Sequence, residues 1–290
     1  FCEEYDKDIE KMSLKAPDGR RHRKRSCVMS RSEITTILVC FHFNQFRNFK
    51  HYYLFYVREH LKDLFPRQLS YNRFVELESR VCLEMMRFLQ LFSFGRCTGI
   101  SFVDSTCVPV CHNKRITRNK VFKGYAEIGK STMGWYFGFK LHLICNERGE
   151  LLNFMLTKAN VDDRNDDVFN RLSDNVFGKL FADKGYISQK LFDRLFNDGI
   201  NLVTGLKCNM KNKLIPLYDK ILLRKRSVIE TINDELKNVA QLVHSRHRSV
   251  YNFCMNVLSV LVAYSFFEKK PSINIDYCID ANDNCLPILK

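Results

Sequence analysis

The chain has 290 residues, 46% of them hydrophobic and 27% charged, which allows one large domain or two ordinary ones and excludes wholesale disorder. Glycine and proline, at 12 and 6, are too few for a collagenous or linker-dominated chain. Forty-six Lys and Arg against 32 Asp and Glu leave a formal charge of +14, which favours a polyanionic partner, nucleic acid ahead of an anionic membrane surface.

Residues 1–29 read as a polar arm with a basic run, Arg-Arg-His-Arg-Lys-Arg, at 20–25 that could touch phosphates. The chain opens on the acidic FCEEYDKDIE rather than a signal peptide, and the lack of an initiator Met suggests residues upstream. Ser30 and Glu33 form a capping box before the apolar run ITTILVCFHF, so a helix is expected there. Another is expected around 51–61. A third, capped by Ser70, has Phe74, Leu77, Val81, Met85, Phe88, Leu89 and Phe92 at helical spacing. Residues 30–94 therefore form a small all-α domain, which fits a DNA-binding helix-turn-helix and a plain bundle equally well.

At 95–99 the pattern changes, and GISFVDST is the short apolar run of a buried strand. A basic stretch follows, then WYFGFKLHLICN and LLNFMLT as an antiparallel pair turned by 147–149. FGKLFA reads as a strand, 188–197 as a helix and INLVTGL as a strand, with further helices near 225–242 and 249–267. The apolar run 251–267 carries Asn252 and Asn256 and is short for a membrane span, so a buried helix is expected there, with no membrane partner. Residues 95–270 form an α/β domain with a mixed sheet, and 271–290 an irregular tail. Scattered cysteines within apolar segments (Cys40, Cys82, Cys145, Cys254) suit free thiols in a reducing, cytoplasmic compartment.

Gly124 to Ser131 satisfies the P-loop pattern, but neither the preceding strand nor the following helix that a P-loop needs is legible, so a basic loop against nucleic-acid phosphates is expected instead. Cys107, Cys111 and His112 lack a second ligand pair for zinc. More informative are Asp104 and Asp183, each closing a buried strand, because a carboxylate there is costly unless it is paired or holds a metal. A third carboxylate, Glu230, shares a helix face with Arg226, Asn233, Asp234 and Lys237. Three carboxylates from two strands and a crossing helix suit Mg²⁺ or Mn²⁺, and two such ions drive phosphodiester displacement.

These residues carry a resemblance. Phe-Val-Asp104-Ser-Thr, Cys-His-Asn-Lys-Arg, Gly-Trp135-Tyr-Phe-Gly-Phe-Lys140-Leu-His142, Ala-Asp183-Lys-Gly-Tyr186 and Arg226-x3-Glu230-x6-Lys237 resemble the DDE transposases of bacterial insertion sequences, best insertion-sequence family 982, over about 30–271. The resemblance implies an RNase H-like catalytic domain after the helical one, with Asp104, Asp183 and Glu230 as catalytic residues and ligands of two Mg²⁺ or Mn²⁺ ions. It implies cleavage at element ends and 3′-hydroxyl strand transfer on double-stranded DNA (terminal inverted repeats and target), a homodimer in the synaptic complex, and a nucleoid-associated location. Lys114, Arg115, Arg118, Lys120 and Lys130 are expected to clamp DNA near the first aspartate, and Arg226 and Lys237 to flank Glu230.

Leu223 stands where the family has Tyr, and the tail 275–290 departs from the family's end. The Asp162-Asp163 pair also resembles the family, and is expected to be structural or remote from the metals. Trp135 is assigned to the core or to a cross-strand pair in preference to base stacking. An RNase H-like nuclease without strand transfer and an inactive DNA-binding remnant are the alternatives.

Overall fold

The computed structural model describes residues 27–43, 46–206, 210, 214–243, 247–273, 275–278 and 286–289. The basic run 20–25 lies outside the described residues, as does nearly all of the 1–29 arm. The chain divides into two compact units, which among the described residues comprise 27–93 with 239–266, and 94–238 with 267 onward.

The first unit is helical. Helix α1 (Arg31–Phe41) starts at the expected capping box, where Ser30 Oγ accepts from Glu33 N–H at 3.1 Å and Glu33 Oε2 accepts from Ser30 N–H at 2.6 Å. A helical run follows as Phe49–His51, a π-helical Tyr52–Val57 and Arg58–His60. Ser70 caps α2 (Tyr71–Glu78), and a 3₁₀ turn leads into α3 (Cys82–Phe88). Of the seven apolar positions expected in the third helix, Phe74, Leu77, Val81, Met85 and Leu89 are buried, whereas Phe92 is exposed. Rings of Phe41, Phe49, Tyr52, Tyr53 and Phe74 pack against one another with centroids 4.7–6.3 Å apart.

The second unit is a six-stranded mixed sheet. β1 (Ile100–Cys111) lies at its centre, antiparallel to β3 (Gly134–Asn146) and parallel to β5 (Gly178–Ala182). β6 (Ile200–Thr204) continues in parallel beyond β5, while the far edge of β3 is shared by β2 (Glu127–Ser131) and β4 (Leu151–Lys158). Gly149, at φ +75°, closes the expected β3–β4 turn. Gly138 must be glycine, because a Cβ there would lie 2.2 Å from the Val108 carbonyl oxygen. Helices α4 (Asp166–Leu172) and α5 (Gln189–Asn197, capped by Ser188) bury Phe169, Leu172, Leu191 and Leu195 in a core with Val103, Ile144 and Leu180. Next come α6 (Leu217–Lys225) and α7 (Ser227–Asp234), the second of which passes into a π-helical turn, Glu235–Val239. A mixed sheet preceded by a helical region matches the RNase H-like expectation broadly.

Helix α8 (Val250–Ser265) is apolar on nearly every side and packs against α1, α2 and α3. Its place in the first unit corrects the assignment of 95–270 to one domain. No helix among the described residues is long and apolar enough to cross a membrane. Three further differences from the sequence reading stand out. β1 runs on through Cys111, so Asp104 lies within the strand rather than closing it. The expected basic loop contains β2, an edge strand with no helix after it, which removes the P-loop context altogether. Two short strands, Ile275–Cys278 and Leu286–Leu289, pair where an irregular tail was expected.

Candidate active site

Asp104 and Asp183 both come shortly after the parallel pairing of β1 and β5. Phe102 is paired with Phe181, and their rings stack at 5.5 Å. Each aspartate lies two residues past its phenylalanine, Asp104 within β1 and Asp183 just beyond the end of β5. The pairing of β1 with β5 ends at Phe102. Asp183 follows β5 and is exposed, and its carbonyl accepts from Tyr186 N–H at 3.0 Å.

Helix α7 crosses β1 and supplies the third carboxylate and a hydrogen bond. Buried Asn233 donates from Nδ2 to Asp104 Oδ2 at 2.9 Å. Glu230, one turn earlier, is paired with Arg226 on the same helix. Burial pushes the Asp104 carboxyl up to about 6 and the charge of Glu230 adds to this, while the Ser105 N–H, Arg226 and Asn233 hold it back. Among the described residues, no three His, Cys, Asp or Glu side chains are gathered closely enough to hold a metal ion. In kind the donors do suit a hard divalent cation, since all three are carboxylates and Asp104 is desolvated with a charge that a cation would relieve.

Asp163, expected to be structural or remote from the metals, is held against Ser105 and Lys140. Its Oδ1 accepts from Ser105 Oγ at 2.8 Å and pairs with Lys140 Nζ at 3.1 Å. His142 Nδ1 lies 3.8 Å away, and burial pushes that ring down to about 4 against the pull of Asp163, so it is neutral at pH 7. Tyr186 ties the pieces together. Its hydroxyl is buried, and burial together with the charges of Asp163, Asp104 and Asp183 holds it well above its ordinary range against the opposing pull of the Ser105 side chain. The signal for Asp163 was in the sequence as one of a pair of acids in a turn, but its approach to Ser105 needs the β4–α4 connection in place.

The basic residues divide into three groups. Lys114, Arg115 and Arg118 lie exposed on a 3₁₀ turn, Asn113–Arg118, directly after β1, with Lys120 exposed beyond it. Lys130 on β2 faces Trp135 on β3, with Nζ 5.8 Å from the ring centroid. Trp135 is 63% exposed, which excludes the core and leaves the cross-strand pair. Both line a cleft of about 390 Å³ that also reaches Lys140, Asp163 and Gly185. Arg226 pairs with Glu230, whereas Lys237 points to Cys107 Sγ at 3.9 Å. Cys107 and Cys111 carry free thiols.

The family described as "Transposase DDE domain" matches residues 94–250, more than half of the chain. The chain belongs to this DDE transposase family. Among solved structures, this transposase-family chain is similar to a piggyBac transposase synaptic complex with hairpin DNA at 11% identity, covering 88% of this chain and 69% of that one, TM-score 0.45. It is also similar to the Mos1 strand transfer complex (14% identity, 92% and 87% covered, TM-score 0.24) and to a Mos1 paired-end complex with the left transposon end (12%, 90% and 86%, TM-score 0.26). No curated protein sequence gives a significant match.

Proposed function

We propose that this chain is an insertion-sequence transposase of the family 982 type, which cuts the phosphodiester at an element's end and joins the freed 3′-hydroxyl to target DNA. The reading is supported by the hydrogen bond from Asn233 on α7, the helix that carries Glu230, to Asp104 on β1, and by Asp104 and Asp183 each following the paired Phe102 and Phe181 by two residues. Asp104, Asp183 and Glu230 would hold two Mg²⁺ or Mn²⁺ ions, with Glu230 exchanging Arg226 for the metal. When bound, such ions activate the attacking oxygen and stabilise the leaving one.

Asn233 keeps one Asp104 oxygen oriented, and the Lys140–Asp163 pair fixes the neighbouring Ser105. Released from Glu230, Arg226 is placed to meet a DNA phosphate, as are the exposed Lys114, Arg115, Arg118, Lys120 and Lys130. Lys237 reaches Cys107 of β1. The substrate is double-stranded DNA with terminal inverted repeats, synapsed by a homodimer in the bacterial nucleoid.

The test is a labelled duplex carrying an element end and its flank, incubated with the protein in Mg²⁺ and in EDTA. Mg²⁺-dependent nicking at the end, followed by joining to target and lost in Glu230→Gln with binding retained, is the expected result. Nicking without joining would indicate a nuclease. Tight binding with no cleavage in Mg²⁺ or Mn²⁺ would indicate a DNA-binding remnant.

A further inference from the structure

The helical unit holds a cavity of about 700 Å³, within the size range of small-molecule sites and unrelated to the carboxylates of the sheet unit. Its buried lining combines the apolar Leu38 and Phe41 with the polar His42, Glu78, Asn256 and Ser259. Asn256, 8% exposed, lines it with an Nδ2 donor that has no hydrogen-bond partner among the described residues. Glu78 adds a carboxyl that burial pushes up to about 8, so it keeps its proton and donates at neutral pH. His42 is tied through Nδ1 to the Ala240 carbonyl at 2.8 Å, which places the proton on Nδ1. Burial pushes this ring down to about 4, leaving it neutral with Nε2 as an acceptor.

The rim has a different character. Arg47, Lys50 and Arg248 are exposed around the mouth, and Phe49 and Tyr71 supply aromatic surface between mouth and floor. Lys50 Nζ lies 5.8 Å from the Tyr71 ring centroid. A neutral donor buried without a partner, as Asn256 Nδ2 is, is costly until a ligand satisfies it. An apolar ligand would leave Asn256 unpaired, and a multiply charged one would meet no counter-charge on the floor. A flat heterocycle bearing a phosphate satisfies floor, wall and rim together.

We propose that this cavity binds a nucleotide, with its base on Asn256 and Glu78, stacked toward Tyr71, and its phosphate on Arg47, Lys50 and Arg248. A free nucleotide and an unpaired nucleotide of bound DNA present the same chemistry. The site stands apart from the cleavage reading and uses none of its residues.

The test titrates the full chain with the four deoxynucleoside monophosphates, followed by calorimetry and saturation-transfer NMR. Inorganic phosphate and the matching deoxynucleosides are the controls. At least one monophosphate should bind tenfold or more tightly than inorganic phosphate. Arg248→Ala should weaken the monophosphate about tenfold and leave the deoxynucleoside unchanged, because it removes a phosphate contact only. Asn256→Leu should weaken both. Since Asn256 and Glu78 are both buried, Arg248→Ala on the exposed rim serves as the check independent of folding.

Displacement of the monophosphate by a duplex with one unpaired nucleotide, and not by a fully paired duplex, would assign the ligand to DNA. Displacement by neither would assign it to free nucleotide. Monophosphates that bind no better than inorganic phosphate, or that are indifferent to Arg248→Ala and Asn256→Leu alike, would overturn the proposal. End cleavage measured in the same preparations separates that failure from failure of the catalytic reading.

Discussion

In the sheet unit, Asp104 sinks into the fold with a hydrogen bond from Asn233, another from the Ser105 N–H and the field of Arg226, whereas in the helical unit Glu78 is buried with no cation within ion-pair distance among the described residues. One carboxyl is held up to about 6 and is mostly ionised at pH 7, while the other is pushed up to about 8 and stays protonated. Burial opposes ionisation in both cases. What differs is the set of donors aimed at the oxygens, which α7 and the Ser105 N–H supply to Asp104. A buried carboxylate is kept charged where neighbouring groups are built to receive the charge, and neutralised where they are not.

The sharpest way to break this comparison is Asp104→Asn. It should reduce end cleavage to background while DNA binding, read by gel shift, persists. Retained cleavage would remove Asp104 from the catalytic set. Glu78→Gln probes the other side through stability. A carboxyl whose folded value is raised contributes stability that is complete below the unfolded value near 4.5 and is lost as pH rises through about 8. The native chain should therefore lose about 1.4 kcal/mol per pH unit across much of that window. Glu78→Gln should flatten the slope, so that the variant is the more stable protein at pH 9 in urea unfolding. A parallel slope in the two proteins would mean that Glu78 is ionised in the fold.

A smaller effect is expected from Asn233→Ala, which removes the donor to Asp104 without touching a carboxylate. Cleavage should fall about 10- to 100-fold, the usual cost of losing a group that orients a metal ligand. The Mg²⁺ concentration for half-maximal activity should rise with it, a shift that a merely structural role would not produce. The mildest is Asp163→Asn, which leaves Lys140 bonded to the Val161 carbonyl but strips its carboxylate and weakens the hold on Ser105. A loss of roughly tenfold or less is expected from a displaced supporting hydrogen bond. A loss as large as that in Asp104→Asn would make Asp163 a member of the catalytic set.

Local chemistry made much of the fold legible. The Ser30–Glu33 box, the Ser70 cap and the turn at Gly149 are each set by a few neighbouring residues, and all stand where expected. β2 escaped because Glu127, Gly129 and Lys130 give an edge strand the composition of a loop. The length of β1 escaped because Ser105, Thr106 and Pro109 interrupt the apolar run that marked its start. α4 was read as a polar connection because Asn165, Asp166 and Asp167 fill its cap and first turn.

The two aspartates and Glu230 were readable as candidates, but their relation was not. The placement of Asp104 and Asp183 follows from Phe102 opposite Phe181, a pairing between segments distant in sequence. Asp163 beside Ser105 and α8 among the N-terminal helices are likewise products of long-range packing, which no local pattern encodes.

The return of α8 to the helical unit also sets a timetable for synthesis. The sheet unit can assemble almost entirely as its strands leave the ribosome, but the helices that precede it must wait for a partner encoded roughly 150 residues downstream of α3, which at ordinary elongation rates is a delay on the order of 10–30 s. During that interval the faces of α1, α2 and α3 that α8 covers are open to chaperones and proteases. A chain interrupted before residue 250 keeps every carboxylate discussed above, yet leaves the nascent helical unit without its closing element.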